Sequence, residues 1–161
     1  MNSKRRPKFL IKDDGVTHIN VYSQGKTRLG RFLSNFAYAP IDTEDGRFNT
    51  IEGYWYWLAA GENPQKEILR GLSGHESKEY GRRLGCPDWI NSEEFKQKIC
   101  KAISQKMRSN PEMIKLLAET NLPLTHYYVY EERMVIVSRG QWLLDHIDLL
   151  RRQALGSSEK Q

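Results

Sequence analysis

Cysteine is scarce in this sequence, and long hydrophobic runs are missing. The two cysteines, Cys86 and Cys100, lack a zinc-binding spacing, so we expect free thiols in a reducing compartment rather than a disulfide framework. No apolar stretch approaches the roughly 20 residues that cross a bilayer, and the basic start has no apolar stretch after it that would make it a secretory signal. We therefore expect a cytoplasmic protein that has no membrane partner.

Histidine is also rare, and its distribution argues against a metalloprotein. The four histidines, His18, His75, His126 and His146, are scattered along the chain without the short spacings of a metal site. We expect neither a metal centre nor a cofactor.

The composition is otherwise that of a folded basic domain. The chain has 161 residues, 39% of them hydrophobic and 28% charged, with a formal net charge of +5. We expect one domain over residues 9–153, with residues 1–8 and 154–161 as flexible polar tails. A basic surface suits an anionic partner, although a merely soluble basic protein has the same composition.

The pattern of apolar residues predicts a helix-rich α+β fold with a small antiparallel β-sheet. Alternation over 16–22 predicts a strand, and residues 127–130 and 134–137 predict a hairpin. Residues 32–41 are irregular. Helices are predicted at 51–62, 76–84, 92–108, 111–119 and 141–152, with a further short helix beginning at Asn63-Pro64.

The stretch around Glu52 stands out because a lone carboxylate precedes an aromatic run. Asn49 and Glu52 have the spacing of a capping box, as do Asn91 and Glu94. The alternative interpretation of Glu52 is a functional acid held in an apolar pocket. The local pattern fits both.

Four segments occur in an order that is specific as a whole. They are Leu33-Ser34-Asn35-Phe36; Asp45-Gly46 with Phe48 and Thr50-Ile51-Glu52; Lys78 through Gly85 with Asp88-Trp89; and Lys106, Asn110-Pro111, Leu116-Leu117 and Thr120 within residues 98–120. In these segments the chain, over roughly residues 29–152, resembles the NADAR family, which is named for its association with NAD and ADP-ribose. Such proteins often occur in bacteria and their phages, which would place a phage-encoded member in the host cytoplasm.

The chain departs from the family pattern at several positions. Gly53 stands where the family usually has His, Tyr56 where it has Gln, and Ala59 where it has Lys. Residues 125–128, Thr-His-Tyr-Tyr, occupy the region of a late Trp-Gly element. These changes bear on which substrate is recognised.

The resemblance implies an N-glycosidase that hydrolyses a ribose C1–N bond. Its substrate would be of the ADP-ribosyl or phosphoribosyl type, such as ADP-ribosylated guanine, free or on nucleic acid, or a riboflavin-pathway intermediate. Such cleavage passes through an oxocarbenium-like sugar, which a carboxylate stabilises. Glu52 takes this role, and Asp88 is either a second acid or a helix cap. The alternatives are a non-catalytic module that binds ADP-ribose or NAD derivatives and a basic nucleic-acid-binding protein.

The resemblance also implies a set of substrate-binding residues, each of which has a structural alternative. Asn35 would hold a ribose or base, or form a turn; Trp89 would stack on the base, or pack in the core. The basic residues would bind phosphates, or form the solvated face of a helix, and the hairpin residues would close the pocket. The set is Ser34, Asn35, Phe36, Trp55, Lys78, Arg82, Trp89, His126 and Tyr127.

Overall fold

Helices dominate the computed structural model, which describes residues 9–85, 90 and 92–159 of the chain. The α-helices are α1 (Arg28–Leu33), α2 (Ile51–Ala59), α3 (Gly74–Arg83), α4 (Glu93–Arg108), α5 (Pro111–Glu119) and α6 (Gln141–Glu159), and 3-10 helices span Ile11–Asp13 and Pro64–Gly71. The strands are β1 (Ile19–Asn20), β2 (Ile41–Thr43), β3 (Gly46–Phe48), β4 (Leu124–Thr125), β5 (Tyr127–Tyr130) and β6 (Arg133–Ile136). The predicted α+β class is confirmed. No described helix is long and apolar enough to cross a membrane.

The caps of α2 and α4 differ from the predicted capping boxes. Thr50, whose backbone is extended, caps α2 because its hydroxyl accepts a 2.9 Å hydrogen bond from the Gly53 amide. The predicted Asn49–Glu52 box is therefore wrong, and the carboxylate of Glu52 is not used as a cap. Ser92 caps α4 in the same way, through the amide of Phe95 at 3.2 Å.

Other helix boundaries shift by a few residues. A reciprocal capping box between Ser73 and Glu76 starts α3 at Gly74, two residues before the predicted start. Helix α1 covers the beginning of a segment that was predicted to be irregular, and α6 continues to residue 159, past the predicted end at residue 152.

In the part of the chain that the structure describes, the strands form three two-stranded pairs rather than one antiparallel sheet. The predicted hairpin is present as β5 and β6, with both turn residues, Glu131 and Glu132, at positive φ. The expected strand at 16–22 is reduced to β1, which pairs in parallel with β4. The chain curls here because the two oxygens of the Asp14 carboxylate accept from the amides of Asn20 and Lys26, at 2.9 and 2.8 Å.

The core lies between α2, α4, α5 and α6, and α2 also packs closely on α3. This approach depends on Gly81, because a methyl group there would collide with the Tyr56 ring. Gly53, which is buried, faces the carbonyl of Leu69 and the hydroxyl of Ser77, so a larger side chain at position 53 would not fit. Gly53 and Tyr56 thus both lie where α2 packs closely on neighbouring elements.

Candidate functional site

A cavity of about 580 Å³ lies where the ends of several elements meet. Its walls come from the loop after β1, the end of α1 and the loop that follows it, the start of α2, the amino-terminal half of α3, the middle of α4, β5 with the residue before it, and α6. The lining residues are Val21, Tyr22, Ser23, Gln24, Leu33, Ser34, Asn35, Phe36, Glu52, Ser73, Gly74, His75, Lys78, Ile103, His126, Tyr128, Gly140, Leu143, Leu144 and Ile147. The lining is therefore polar where α2 and α3 contribute Glu52, His75 and Lys78, and apolar where α6 contributes Leu143, Leu144 and Ile147.

Glu52 is the carboxylate that faces this cavity. As the second residue of α2 it is fixed by its backbone, whose amide donates to the carbonyl of Asn35 at 3.0 Å. The side chain accepts no hydrogen bond from the described residues. Burial raises the pKa of Glu52 to about 7, an effect that the positive charges of Lys78 and Arg82 partly oppose. Near neutral pH the carboxyl group is thus able to exchange a proton.

Lys78 stands beside Glu52 between two aromatic rings. Its Nζ lies 5.9 Å from the centroid of the Phe36 ring and 5.6 Å from that of Tyr128, within the range of cation–π attraction. The pKa of the Tyr128 phenol is raised, first by burial and then by the charge of Glu52. The cavity therefore holds one acid, one ammonium group and two rings in a connected cluster.

The loop that carries Ser34 and Asn35 is held in place by the buried amine of Lys106. Lys106 is 2% exposed, and its Nζ donates to the Ser34 carbonyl at 3.0 Å. Burial lowers the pKa of Lys106 to about 7. The Ser34 hydroxyl accepts from the amide of Phe36 at 3.2 Å, whereas the Asn35 side chain has no hydrogen-bond partner among the described residues and is free to meet a ligand.

His126 lines the cavity and is anchored through one of its ring nitrogens. Its Nδ1 lies 2.6 Å from the carbonyl oxygen of Val21, and because a carbonyl only accepts, Nδ1 carries the proton. Burial lowers the pKa of His126, so the ring is neutral at pH 7 and its Nε2 keeps a lone pair. No described residue donates to that atom.

Some residues of the predicted set lie away from the cavity. The Tyr127 hydroxyl is 2.6 Å from Nε2 of the buried His18, on the other face of β5, and Tyr128 takes its place in the wall. Trp55 packs in a stack on Trp142 and against Phe95, and it does not line the cavity. Arg82 is exposed and reaches Glu52 only through its charge.

Asp88 and Trp89 lie outside the described residues, so their predicted roles stay predictions. Sequence reasoning missed Ser73, Gly74 and the α6 wall. The Ser73–Glu76 capping spacing was readable in the sequence, whereas nothing local indicated that α6 would fold over this cavity.

Comparisons with known proteins bear on the fold. No protein-family model matches the chain, and no curated protein matches it. Among solved structures, the NMR structure of the Escherichia coli protein YbiA is similar, with a TM-score of 0.67, 19% sequence identity, and coverage of 95% of this chain and 97% of that one. No group of His, Cys, Asp or Glu in the described part of the chain could hold a metal ion. The chain is thus similar in fold to YbiA over nearly its whole length.

Proposed function

We propose that the protein is an N-glycosidase that hydrolyses a ribose C1–N bond in an ADP-ribosyl or phosphoribosyl-type substrate. The observation that carries this proposal is the carboxyl group of Glu52, which does not cap α2, has a raised pKa and lines a cavity that Lys78 also lines. Perturbed acids of this kind are typical of catalytic sites.

The chemistry needs a group that is negative when the sugar becomes positive. As the C1–N bond breaks, its electron pair leaves with the nitrogen and positive charge develops on the ribose. Ionised Glu52 stabilises that charge and accepts a proton from the water that attacks C1. The departing nitrogen takes up one proton, so that the net change is the addition of one water across the C1–N bond and Glu52 ends ionised again. Because the ionised form is required and the pKa is about 7, we expect activity to rise as the pH increases through about 7.

The cavity has partners for each part of such a substrate. Lys78 suits a phosphate, as do the amides of Gly74 and His75 at the start of α3, which have no acceptor among the described residues. The side chain of Asn35 and the Nε2 of His126 suit ribose hydroxyls or base N–H groups. The apolar wall suits the face of a base, and it consists of Val21, Leu33, Ile103, Leu143, Leu144 and Ile147.

The proposal is tested by offering candidate substrates and identifying the products. The protein is incubated with ADP-ribosylated guanosine, the same adduct in DNA, and riboflavin-pathway ribosyl intermediates, and mass spectrometry detects any released base and sugar. Release of a free base with a sugar that has gained the elements of water supports the proposal. Tight binding without cleavage at any pH between 6 and 9 favours a non-catalytic module, and neither binding nor cleavage overturns both.

A further inference from the structure

A second cleft, of about 420 Å³, adjoins the cavity that contains Glu52. The two share Ser23 and Phe36, which stand at the boundary between them. We call this second cleft the arginine cleft. Its lining is Ser23, Arg28, Arg31, Phe32, Phe36, Ala37, Tyr38, Asn110, Glu112 and Met113. A ligand that fills the main cavity and extends past Phe36 would enter it.

Tyr38 offers an unused aromatic face in the arginine cleft. Its side chain is 73% exposed, and it makes no ring contact or hydrogen bond with the described residues. An exposed ring of this kind places apolar surface in water without a packing gain. Stacking of a planar base on it would remove that surface from water.

The guanidinium groups supply positive charge next to that ring. Arg31 is held in place because its Nη1 donates to the carbonyls of Gly25 and Lys26, at 2.9 and 3.0 Å, which leaves its other N–H groups without partners among the described residues. Arg28 pairs with Glu112 at 3.1 Å, a bond exposed to solvent and easily exchanged for another. The cleft therefore has an excess of positive charge suited to a phosphate.

We propose that the arginine cleft is a subsite for a nucleoside monophosphate unit joined to the ribose that lies in the main cavity. The base stacks on Tyr38, and the phosphate meets Arg28 and Arg31. This inference rests on the proposed function for the identity of the ribose. The unit has two sources with the same chemistry: the adenosine monophosphate half of ADP-ribose, and the neighbouring nucleotide of a modified strand.

The chain offers matched control variants for a test. Tyr38→Ala removes the ring, Tyr38→Phe keeps it, and Tyr130→Ala removes a ring that is 69% exposed and lies outside both cavities. Arg28→Ala is matched by Arg47→Ala, since both side chains are 64% exposed and each forms one exposed ion pair, at 3.1 and 3.2 Å. All of these positions are on the surface, so each variant is expected to fold.

The readout is binding measured by titration calorimetry, which does not depend on turnover. The ligands are ADP-ribose, ribose 5-phosphate, and a single-stranded oligonucleotide and a nucleoside that carry ADP-ribosylated guanine. We expect Tyr38→Ala and Arg28→Ala each to weaken the binding of at least one of these ligands about tenfold. The binding of ribose 5-phosphate should be unaffected, and Tyr38→Phe should bind every ligand as the wild type does. Loss for ADP-ribose identifies its adenosine half as the occupant, and loss for the oligonucleotide alone identifies the neighbouring nucleotide.

The proposal is overturned if Tyr38→Ala and Arg28→Ala bind every ligand as the wild type does, if the matched variants lose as much, or if the wild type binds none of the ligands. The proposed function can fail separately. Weakened binding in the cleft variants of a protein that cleaves nothing supports the subsite and contradicts the glycosidase.

Discussion

Replacing Glu52 by glutamine is expected to make the protein more stable at alkaline pH, although it removes the proposed catalytic group. Glu52 is partly withdrawn from water, its carboxylate accepts no hydrogen bond from the described residues, and burial raises its pKa from 4.5 to about 7. The folded protein therefore holds an ionised Glu52 at a cost in free energy. Glutamine has nearly the same shape and carries no charge, so it avoids that cost.

The sign follows from the two pKa values. Below pH 4.5 the carboxyl group is protonated in both the folded and the unfolded chain, and it contributes no pH dependence. Between about 4.5 and 7 the unfolded chain loses the proton first, so the wild type loses stability as the pH rises, and the loss is complete above about pH 7. A shift of this size corresponds to about 3 kcal/mol, and we expect about 1–3 kcal/mol because the cavity admits water.

The assay is urea denaturation of the wild type and Glu52→Gln at pH 4.5 and pH 8.5. We expect equal free energies of unfolding at pH 4.5 and an advantage of about 1–3 kcal/mol for the variant at pH 8.5. Glu62→Gln is the control, because Glu62 is exposed and forms no ion pair with the described residues; it should show no such divergence. A Glu52→Gln variant that is equally or less stable at pH 8.5 would refute the claim that this carboxylate is held at a cost.

Three other substitutions test the framework around the site. Lys106→Met should abolish a rise in stability that the wild type shows between about pH 7 and 10.5, because the unfolded chain keeps the Lys106 proton in that range and the folded chain does not; urea denaturation across that range measures it. Gly81→Ala should destabilise the protein by about 1–3 kcal/mol through collision with Tyr56, as measured by a lower midpoint of denaturation. Thr50→Ala should cost about 0.5–2 kcal/mol in the same assay through loss of the α2 cap.

Each of these predictions has a control. Gly156→Ala, in α6, meets nothing within 4 Å and should leave stability unchanged or improve it by up to about 1 kcal/mol. Asn49→Ala should lower the free energy of unfolding less than Thr50→Ala does. The reverse order would support the Asn49–Glu52 capping box and contradict Thr50 as the cap. A rise in stability that persists in Lys106→Met would show that another group is responsible for it.

Local signals in the sequence were enough for much of the fold. Helix α5 has the bounds that its Asn110-Pro111 start and apolar spacing predict, and the β5–β6 hairpin is where alternation places it. The cap of α2 was misplaced by one residue because Asn49 and Thr50 are both good caps. The local sequence does not distinguish between them, and in the structure Thr50 is the N-cap. The strand at 16–22 was overestimated since the Asp14 carboxylate, which binds two distant amides, curls the chain there.

The site was predictable only in part, for physical reasons. Glu52 was singled out by its position before an aromatic run as well as by the family resemblance, whereas Asn35 and Lys78 came from the resemblance; the structure places all three around one cavity. Choosing between Tyr127 and Tyr128 required the face of β5 that meets His18, which alternation alone does not give. The apolar wall from α6 depends on how α6 packs against α4 and α5, and tertiary packing of this kind leaves no local pattern.

The most direct test of the account is the single-turnover rate of Glu52→Gln on the best substrate, measured with saturating enzyme at pH 8. The wild type and the variant should bind the substrate with similar affinity, because Lys78, Asn35 and the apolar wall are unchanged. Without the negative charge that stabilises the oxocarbenium ion, the variant should cleave the C1–N bond at least about a hundredfold more slowly. A stable variant that cleaves at the wild-type rate would remove Glu52 from the mechanism and contradict the proposed function of this site.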